Sequence, residues 1–187
     1  MEFIQEVLQK HEPKMKGQMD HLREELAGLR AGRATPALLN NITVDYYGMP
    51  TPINQVANIS VPEPRMLVIQ PWEASMLKEI GKAIMSSDLG LNPNNDGAVI
   101  RLNLPMLTEE RRKELVKTAN KRTEETRVGI RNVRRDIIDE FKKMEKSKEI
   151  SEDELKVGEE KAQKLTDKYM AEIDKLIEVK EKEIMEV

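Results

Sequence analysis

The longest helical pattern of the chain runs over residues 108–150, TEERRKELVKTANKRTEETRVGIRNVRRDIIDEFKKMEKSKEI. It contains no proline, and Thr108 followed by Glu109 and Glu110 is typical of a helix start, because a capping hydroxyl and early acids stabilise the first turn. Its apolar positions recur at helical spacing on one face. They are Leu115, Ala119, Thr126, Ile130, Val133, Ile137, Phe141 and Met144. The pattern predicts one helix of about 39 residues, about 58 Å long.

Two further segments carry a single apolar stripe of the same kind. In residues 1–32 the stripe consists of Ile4, Val7, Leu8, Met15, Met19, Leu22, Leu26 and Leu29. In the last segment it consists of Leu155, Ala162, Leu165, Tyr169, Ile173, Leu176 and Ile184. Ser151 with Glu154 predicts a capping box at the start of this last helix, whereas Pro13 predicts a kink or a restart of the first helix near residue 12. Because no stripe can be buried alone, we expect an elongated three-helix bundle.

The middle of the chain has a different composition, because eight of the nine prolines lie in residues 33–105. Short alternating or apolar runs there predict strands. The runs are residues 42–46, 59–61, 66–69 and 98–102, with a turn at 48–52 and a helical pattern at 74–86. We therefore expect a small β/α/β domain of the α+β class at 31–105, inserted between the two parts of the bundle, 1–30 and 106–187.

Two short connections join the predicted bundle to the predicted insert. They carry the residues that we expect to form a hinge, Gly32, Ala34, Pro36, Leu104 and Pro105. Two short joints between two rigid bodies favour rotation of one body against the other. A fixed elbow is the alternative, and the sequence does not decide between them.

The composition excludes several kinds of site. A chain of 187 residues without cysteine has no disulfide, no thiolate nucleophile and no cysteine-ligated zinc. His11 and His21 have no histidine partner at metal-binding spacing, so we expect them at the surface or at a boundary. Gly28 and Gly32 lack the Lys and Ser/Thr of a phosphate loop, so we expect them to ease close packing at a helix end.

No catalytic constellation is present in the sequence. The acidic cluster at residues 152–154 complements a helix N-terminus better than it predicts a cation site. We therefore expect a protein that is not an enzyme and that has neither a metal nor another cofactor. The longest apolar run, residues 66–69, is too short to span a membrane. The absence of cysteine and the charged residues 1–20 fit a cytoplasmic protein, and we expect a monomer.

The charge distribution along the long helix is uneven. Residues 111–135 contain ten basic and three acidic residues, a net charge of +7, whereas residues 136–187 carry −6. On a helical wheel six of the basic side chains fall within about 100° of each other, beside the apolar stripe. We call this surface the arginine face; it consists of Lys113, Lys117, Arg127, Arg131, Arg134 and Arg135. Arg23, Arg30 and Arg33 could extend it.

The arginine face favours binding of nucleic acid or another polyanion, because arginine holds phosphate through two parallel hydrogen bonds. An ordinary solvated helix face is the alternative, although such faces normally mix both signs of charge. Aromatic residues make up only 3% of the chain, which argues against stacking on single-stranded bases. Contacts to the backbone and shape of a folded RNA fit better.

Five motifs, in order, resemble the bacterial ribosome recycling factor family over the whole length of the chain. They are residues 29–36 (LRAGRATP), 44–48 (VDYYG) followed by Thr51 and Pro52, 87–94 (SDLGLNPN), 107–115 (LTEERRKEL) and 127–136 (RVGIRNVRRD). Pro13 and Gly129 depart from what is expected of the helices of that family. These two departures concern the regularity of the helices more than the function.

The resemblance implies an L-shaped molecule that acts after termination of translation. Together with elongation factor G and GTP, such a protein helps to split the ribosome, and the GTPase is the partner. The bundle would sit on the large ribosomal subunit against its 23S rRNA, and the partner factor would push on the small domain. By resemblance the RNA contacts fall first on Arg131 and Arg134, then on Arg30, Arg33, Arg112, Arg127 and Arg135.

Two other classes of function compete with this interpretation. A helical scaffold would expose apolar positions beyond one stripe per helix, and few are visible in the sequence. An enzyme housed in the insert would need converging polar residues, but Asp45, Asp88 and Asp96 have no base or metal partner in the pattern. Salt-sensitive binding to large ribosomal subunits would separate these classes from an RNA-binding factor.

Overall fold

The computed structural model describes residues 1–29 and 32–186, which form four α-helices and six β-strands. The helices are α1 (Glu2–Gly28), α2 (Met76–Met85), α3 (Glu109–Lys146) and α4 (Glu152–Met185). The strands are β1 (Thr43–Tyr46), β2 (Met49–Pro52), β3 (Ala57–Glu63), β4 (Met66–Pro71), β5 (Asn94–Asn95) and β6 (Ile100–Asn103). The chain divides into two compact units, Met1–Ala31 with Glu109–Val187 and Gly32–Thr108.

The first unit is a bundle of α1, α3 and α4, and the predicted three-helix bundle is confirmed. Each helix buries one stripe, and α3 spans 38 residues without a break. Ser151 caps α4, because its hydroxyl accepts a hydrogen bond from the Glu154 N–H at 3.1 Å. Among the described residues, no helix is both long enough and apolar enough to cross a membrane.

Two glycines of the bundle lie where neighbouring side chains approach closely. A Cβ at Gly129 on α3 would lie 2.6 Å from the Gln18 side chain of α1. A Cβ at Gly158 on α4 would lie 2.9 Å from the Phe141 ring of α3, which is fully buried. Gly129 therefore faces the flexible end of the Gln18 side chain, whereas Gly158 faces a buried ring that cannot move aside.

The restart predicted near Pro13 is wrong. Helix α1 continues through Pro13 from Glu2 to Gly28. The helix buries residues on both sides of the proline, including Val7 and Met15. Packing of this stripe against α3 and α4 offsets the loss of one helical hydrogen bond, which alone costs about 3 kcal/mol.

The second unit is the predicted small α+β domain. Its four-stranded antiparallel sheet has the order β3-β4-β6-β5, and β1 and β2 form a separate hairpin. The core of the unit includes Leu67 and Ile69 from β4, Ile80 and Ile84 from α2, and Ile100 from β6, none of which is accessible to solvent. The amphipathic pattern at residues 74–86 thus gives α2, whose apolar face covers this core.

The predicted turn at residues 48–52 is shifted in the structure. Tyr47 and Gly48 alone make the turn, with φ of 49° and 83°, and Met49–Pro52 is already strand β2. Two residues with positive φ are the geometry of a type I′ hairpin, whose twist matches that of paired strands. Strand β3 likewise runs on through Pro62 to Glu63, with a break of register between Ser60 and Glu63 that accommodates the proline.

The expectation for the two glycines near the end of α1 holds only in part. A Cβ at Gly28 would meet nothing within 4 Å, so no close packing requires this glycine. Gly32 has a φ of +77°, and a Cβ there would lie 3.2 Å from the Leu107 side chain. Gly32 therefore meets both a conformational and a steric requirement.

The predicted hinge residues do not share one environment. Ala34 and Leu104 are buried in the core of the second unit. The Ala34 N–H donates to the Pro64 carbonyl at 2.7 Å, and the Leu104 N–H donates to the Arg65 carbonyl at 2.8 Å. Pro36 begins a 3-10 helix in the same unit. Of the five residues, Gly32, Pro36 and Pro105 have neither a place in that core nor such a hydrogen bond among the contacts of the described residues.

Candidate nucleic-acid interface

The arginine face of α3 borders helix α4. The buried stripe of α3, including Ile130 and Ile137, faces the core of the bundle. Beside it, the Arg127 guanidinium contacts Asp174 of α4, and the Arg134 guanidinium contacts Gln163 of α4. The helical spacing predicted that these arginines share one side of α3, and the structure places them there.

Arg127 is held by two carboxylates. Its Nη2 donates to Asp174 Oδ1 at 2.9 Å and its Nη1 donates to Glu124 Oε2 at 3.2 Å, and only 25% of its side chain is exposed. Burial alone would lower the pKa of Arg127, but the hydrogen bonds to Asp174 and Glu124 outweigh it and raise the pKa. The guanidinium therefore keeps its charge, which the two carboxylates compensate locally.

Glu124 lies within the arginine face, between the arginines. Besides the bond from Arg127, it accepts a hydrogen bond from Arg131 Nη1 at 3.3 Å. These hydrogen bonds, first from Arg127 and then from Arg131, lower the pKa of Glu124. Its spacing of three and seven residues from the two arginines could have revealed this role in the sequence.

Arg134 differs from Arg127, because its partner on α4 is neutral. Its Nη1 donates to the amide oxygen Oε1 of Gln163 at 3.0 Å, and the Gln163 amide in turn donates to Asp167 at 2.8 Å. A guanidinium has five N–H donors, so Arg134 retains four of them together with its full charge. Within the described part of the chain, exposed Arg135 and Lys117 make no ion pair or hydrogen bond.

The remaining predicted RNA-binding residues do not all lie on this face. Lys113 is on the face and pairs with Glu109 at 3.3 Å. Arg112 lies seven residues, or about two helical turns, before Ala119 and is therefore in line with the buried stripe. Its Nε is buried without a hydrogen-bond partner. Arg33 is exposed in the second unit, and Arg30 lies outside the described residues.

The opposite flank of α3, which faces α1, carries compensated charges. Glu140 Oε1 accepts from Lys10 at 3.1 Å, and Glu140 Oε2 lies 2.6 Å from His11 Nε2. The hydrogen bond from His11 is the main cause that lowers the pKa of Glu140. On the same flank Arg122 pairs with Glu25 at 3.0 Å.

The expectation for His11 is wrong, because this residue is 5% exposed and belongs to the interior of the bundle. The signal was present, since His11 follows Ile4 and Val7 at helical spacing and precedes Met15. Glu140 supplies the polar partner that makes burial of the imidazole tolerable. His21 is exposed, as expected, and contacts Glu25. Over residues 1–29 and 32–186, no group of three or more metal-binding side chains is assembled.

Sequence comparisons agree on one family. A family model described as ribosome recycling factor matches residues 22–185. The chain is 63% identical to the ribosome-recycling factor of Caldicellulosiruptor bescii over 182 residues. This alignment covers 97% of this chain and 99% of that protein. It is 60% identical to the ribosome-recycling factor of Syntrophomonas wolfei over 185 residues, an alignment that covers 99% of this chain and 100% of that protein.

Solved structures lead to the same family. The solution structure of a ribosome recycling factor is 49% identical, with a TM-score of 0.79 and coverage of 98% of both chains. Models of the T. thermophilus ribosome recycling factor and E. coli elongation factor G on the E. coli post-termination complex contain a chain that is 48% identical. That chain has a TM-score of 0.65, with coverage of 98% of this chain and 99% of the other. The chain therefore belongs to the ribosome recycling factor family, a family of non-enzymatic translation factors.

Proposed function

We propose that this chain binds the large ribosomal subunit through the arginine face of α3 and, with elongation factor G and GTP, splits the ribosome left after termination. Family membership supports this role, as do the models that combine the T. thermophilus factor with E. coli elongation factor G on a post-termination complex. The observation that carries the RNA-binding part is the Arg134 guanidinium, which donates to an amide and keeps an uncompensated charge.

The binding partner of the arginine face is the phosphate backbone of 23S rRNA. Arg134 supplies two parallel donors to one phosphate, and exposed Arg135 and Lys117 add charge beside it. Arg131 shares Glu124 with Arg127 and contributes less charge. Arg127 is the weakest contributor, because Asp174 and Glu124 already occupy its donors.

The chain itself changes no bond. The prediction that it is not an enzyme is confirmed by its family. In our proposal, GTP hydrolysis belongs to elongation factor G, the chain acts as a cytoplasmic monomer, and its contribution is mechanical. The bundle anchors on RNA, and the second unit transmits force to the bridges between the ribosomal subunits. Purified chain should therefore not turn over GTP in the absence of the partner factor.

This mechanism requires that the two units rotate about their connections. Since Ala34 and Leu104 are anchored in the second unit, we place the rotation in the connections beyond these anchors, at Gly32 and at residues 105–108. The chain has no cysteine, so Asp45→Cys and Lys142→Cys introduce two unique sites for spin labels. We expect a broad distribution of label distances in the free protein and a narrower one on ribosomes. A single narrow distance in both states would contradict a working hinge.

Splitting of post-termination ribosomes tests the proposal as a whole. With elongation factor G and GTP, the chain should release free subunits, which light scattering detects as they form. Arg134→Ala should reduce the rate at limiting protein, Arg134→Lys should restore part of it, and Lys175→Ala on the exposed side of α4 should have no effect. Wild-type rates in Arg134→Ala would contradict the RNA anchor, whereas absence of splitting by the wild-type chain would contradict the function.

A further inference from the structure

Exposed aromatic residues lie on the second unit, which carries none of the arginine face. Tyr47 is 80% exposed, Met49 is 69% exposed and Trp72 is 61% exposed. Tyr47 is the first residue of the β1–β2 turn, Met49 is the first residue of β2, and Trp72 follows β4 directly. Tyrosine, tryptophan and methionine are enriched in the cores of protein interfaces. In a chain with only 3% aromatic residues, their exposure at one place calls for a function.

Glu73 joins the hairpin to Trp72. Its Oε1 accepts a hydrogen bond from the Tyr46 hydroxyl at 2.8 Å, and its Oε2 accepts one from the Tyr47 hydroxyl at 3.0 Å. The two tyrosine rings meet edge to face, with centroids 4.6 Å apart. Because Glu73 follows Trp72 directly in the chain, these bonds place the hairpin turn beside the backbone segment that carries Trp72.

The patch is held in one conformation. The turn at Tyr47 and Gly48 has the fixed geometry of a two-residue hairpin loop. The Trp72 N–H donates to the Val56 carbonyl at 3.1 Å, which fixes the backbone beneath the indole. Preorganised aromatic side chains lose little conformational entropy on binding, and so they are efficient contacts for a partner.

The charge of the patch points to a cationic partner. In the described part of the chain, neither Glu73 nor exposed Asp45 forms an ion pair with a basic side chain. A carboxylate offers about four lone-pair sites, and the two tyrosines occupy two of those on Glu73. The hydrogen bond to Glu73 raises the pKa of both phenols, so the hydroxyls stay protonated and act as donors. Phosphates would be repelled by this carboxylate.

We propose that the Tyr47–Glu73–Trp72 patch binds an arginine- or lysine-bearing segment of a partner protein. The cation would lie against the exposed ring faces, where the quadrupole attracts it, and its N–H groups would donate to the free lone pairs of Glu73. Arginine suits both contacts, since its planar guanidinium stacks on a ring and forks onto a carboxylate. This surface is independent of the arginine face, and the inference does not require the RNA-binding proposal.

The indole of Trp72 allows a direct test, because it is the only tryptophan of the chain. The full-length protein is titrated at low salt with a twelve-residue peptide of alternating arginine and glycine, and the emission of Trp72 is followed. We expect a saturable change in emission. Glu73→Gln should weaken binding at least about fivefold, because it removes a charge-assisted contact. It retains an amide oxygen for a tyrosine hydroxyl, so the fold should persist.

The matched control is Glu63→Gln, which removes the same charge from the same unit. Glu63 ends β3, whereas Ala57 at the other end of that strand pairs with Pro71 beside Trp72. We expect the control to bind the peptide as the wild type does. The proposal is overturned if Trp72 shows no saturable change, or if Glu63→Gln weakens binding as much as Glu73→Gln. It is also overturned if Glu73→Gln binds the peptide as tightly as the wild type does.

Discussion

The two flanks of α3 carry the same kinds of residue in opposite electrostatic states. On the flank facing α1, Arg122 pairs with Glu25, and Glu140 accepts from both Lys10 and His11. On the flank facing α4, Arg134 donates to the amide of Gln163. The charges of the first flank are therefore compensated, whereas the second flank keeps the charge of Arg134, although Arg127 beside it is paired with Asp174 and Glu124. A count of charges along the helix does not show this difference, whereas the partners of each side chain do.

The largest expected effect comes from removing the uncompensated charge of the α4 flank. Arg134→Ala with Arg135→Ala should weaken binding to large ribosomal subunits at least about 100-fold, since each lost phosphate contact contributes about 1.5–3 kcal/mol. The matched change on the other flank, Arg122→Ala with Lys10→Ala, should leave binding within about threefold, because its charges are already paired. Sedimentation with purified large subunits measures both. Equal losses for the two double variants would erase the distinction between the flanks.

The packing of the two flanks should also respond differently to an added methyl group. Gly158→Ala should destabilise the bundle by about 1–3 kcal/mol, because the new Cβ would overlap the buried Phe141 ring. Gly129→Ala should be close to neutral. The end of the Gln18 side chain can turn away, and alanine gains about 1 kcal/mol in helix propensity. Urea denaturation at neutral pH measures both free energies of unfolding, and a larger loss at Gly129 would reverse the expected order.

The stability that the compensated flank contributes should depend on pH. The folded state lowers the pKa of Glu140 below its ordinary value of 4.5, mainly through the hydrogen bond from His11. The corresponding stabilisation is present above that ordinary value and is lost as the pH falls through the lower folded value. Glu140→Gln should cost about 1 kcal/mol at pH 7, and the difference from wild type should shrink toward pH 3. A difference that is constant between these pH values would contradict the role of the ionised carboxylate.

The smallest expected effect concerns Glu124, which lies on the otherwise basic flank. Glu124→Gln removes the acceptor charge shared by Arg127 and Arg131, so it should tighten binding to large subunits about two- to fivefold. Stability should change little, because Glu124 is solvent-exposed. Binding is measured by the same sedimentation assay, and denaturation by urea. Weaker binding in this variant would mean that Glu124 positions the arginines rather than neutralising them.

Much of the architecture followed from the sequence alone. The apolar spacing in residues 108–150 and the Ser151 cap predicted α3 and the start of α4, because helical periodicity and capping are local properties. The helix through Pro13 could not be predicted in this way, since packing against two other helices decides it. The spacing of His11 from Ile4, Val7 and Met15 indicates that it is buried. The general preference of histidine for the surface led to the opposite prediction.

The candidate site was predictable as a set of residues but not as a charge distribution. Helical spacing placed Arg127, Arg131 and Arg134 on one side of α3. It did not show that Asp174, which lies 47 residues further along the chain, compensates Arg127, whereas Gln163 leaves Arg134 charged. Such pairings depend on the register between α3 and α4, which is a tertiary property.

The salt dependence of binding to large ribosomal subunits tests the central claim most directly. The logarithm of the binding constant is measured against the logarithm of salt concentration for the wild type, Arg134→Ala and Arg122→Ala. If Arg134 holds a phosphate, Arg134→Ala should lower the slope by about one, because one fewer counterion is released, and Arg122→Ala should keep the wild-type slope. A wild-type slope in Arg134→Ala, or an equal reduction in Arg122→Ala, would contradict the account.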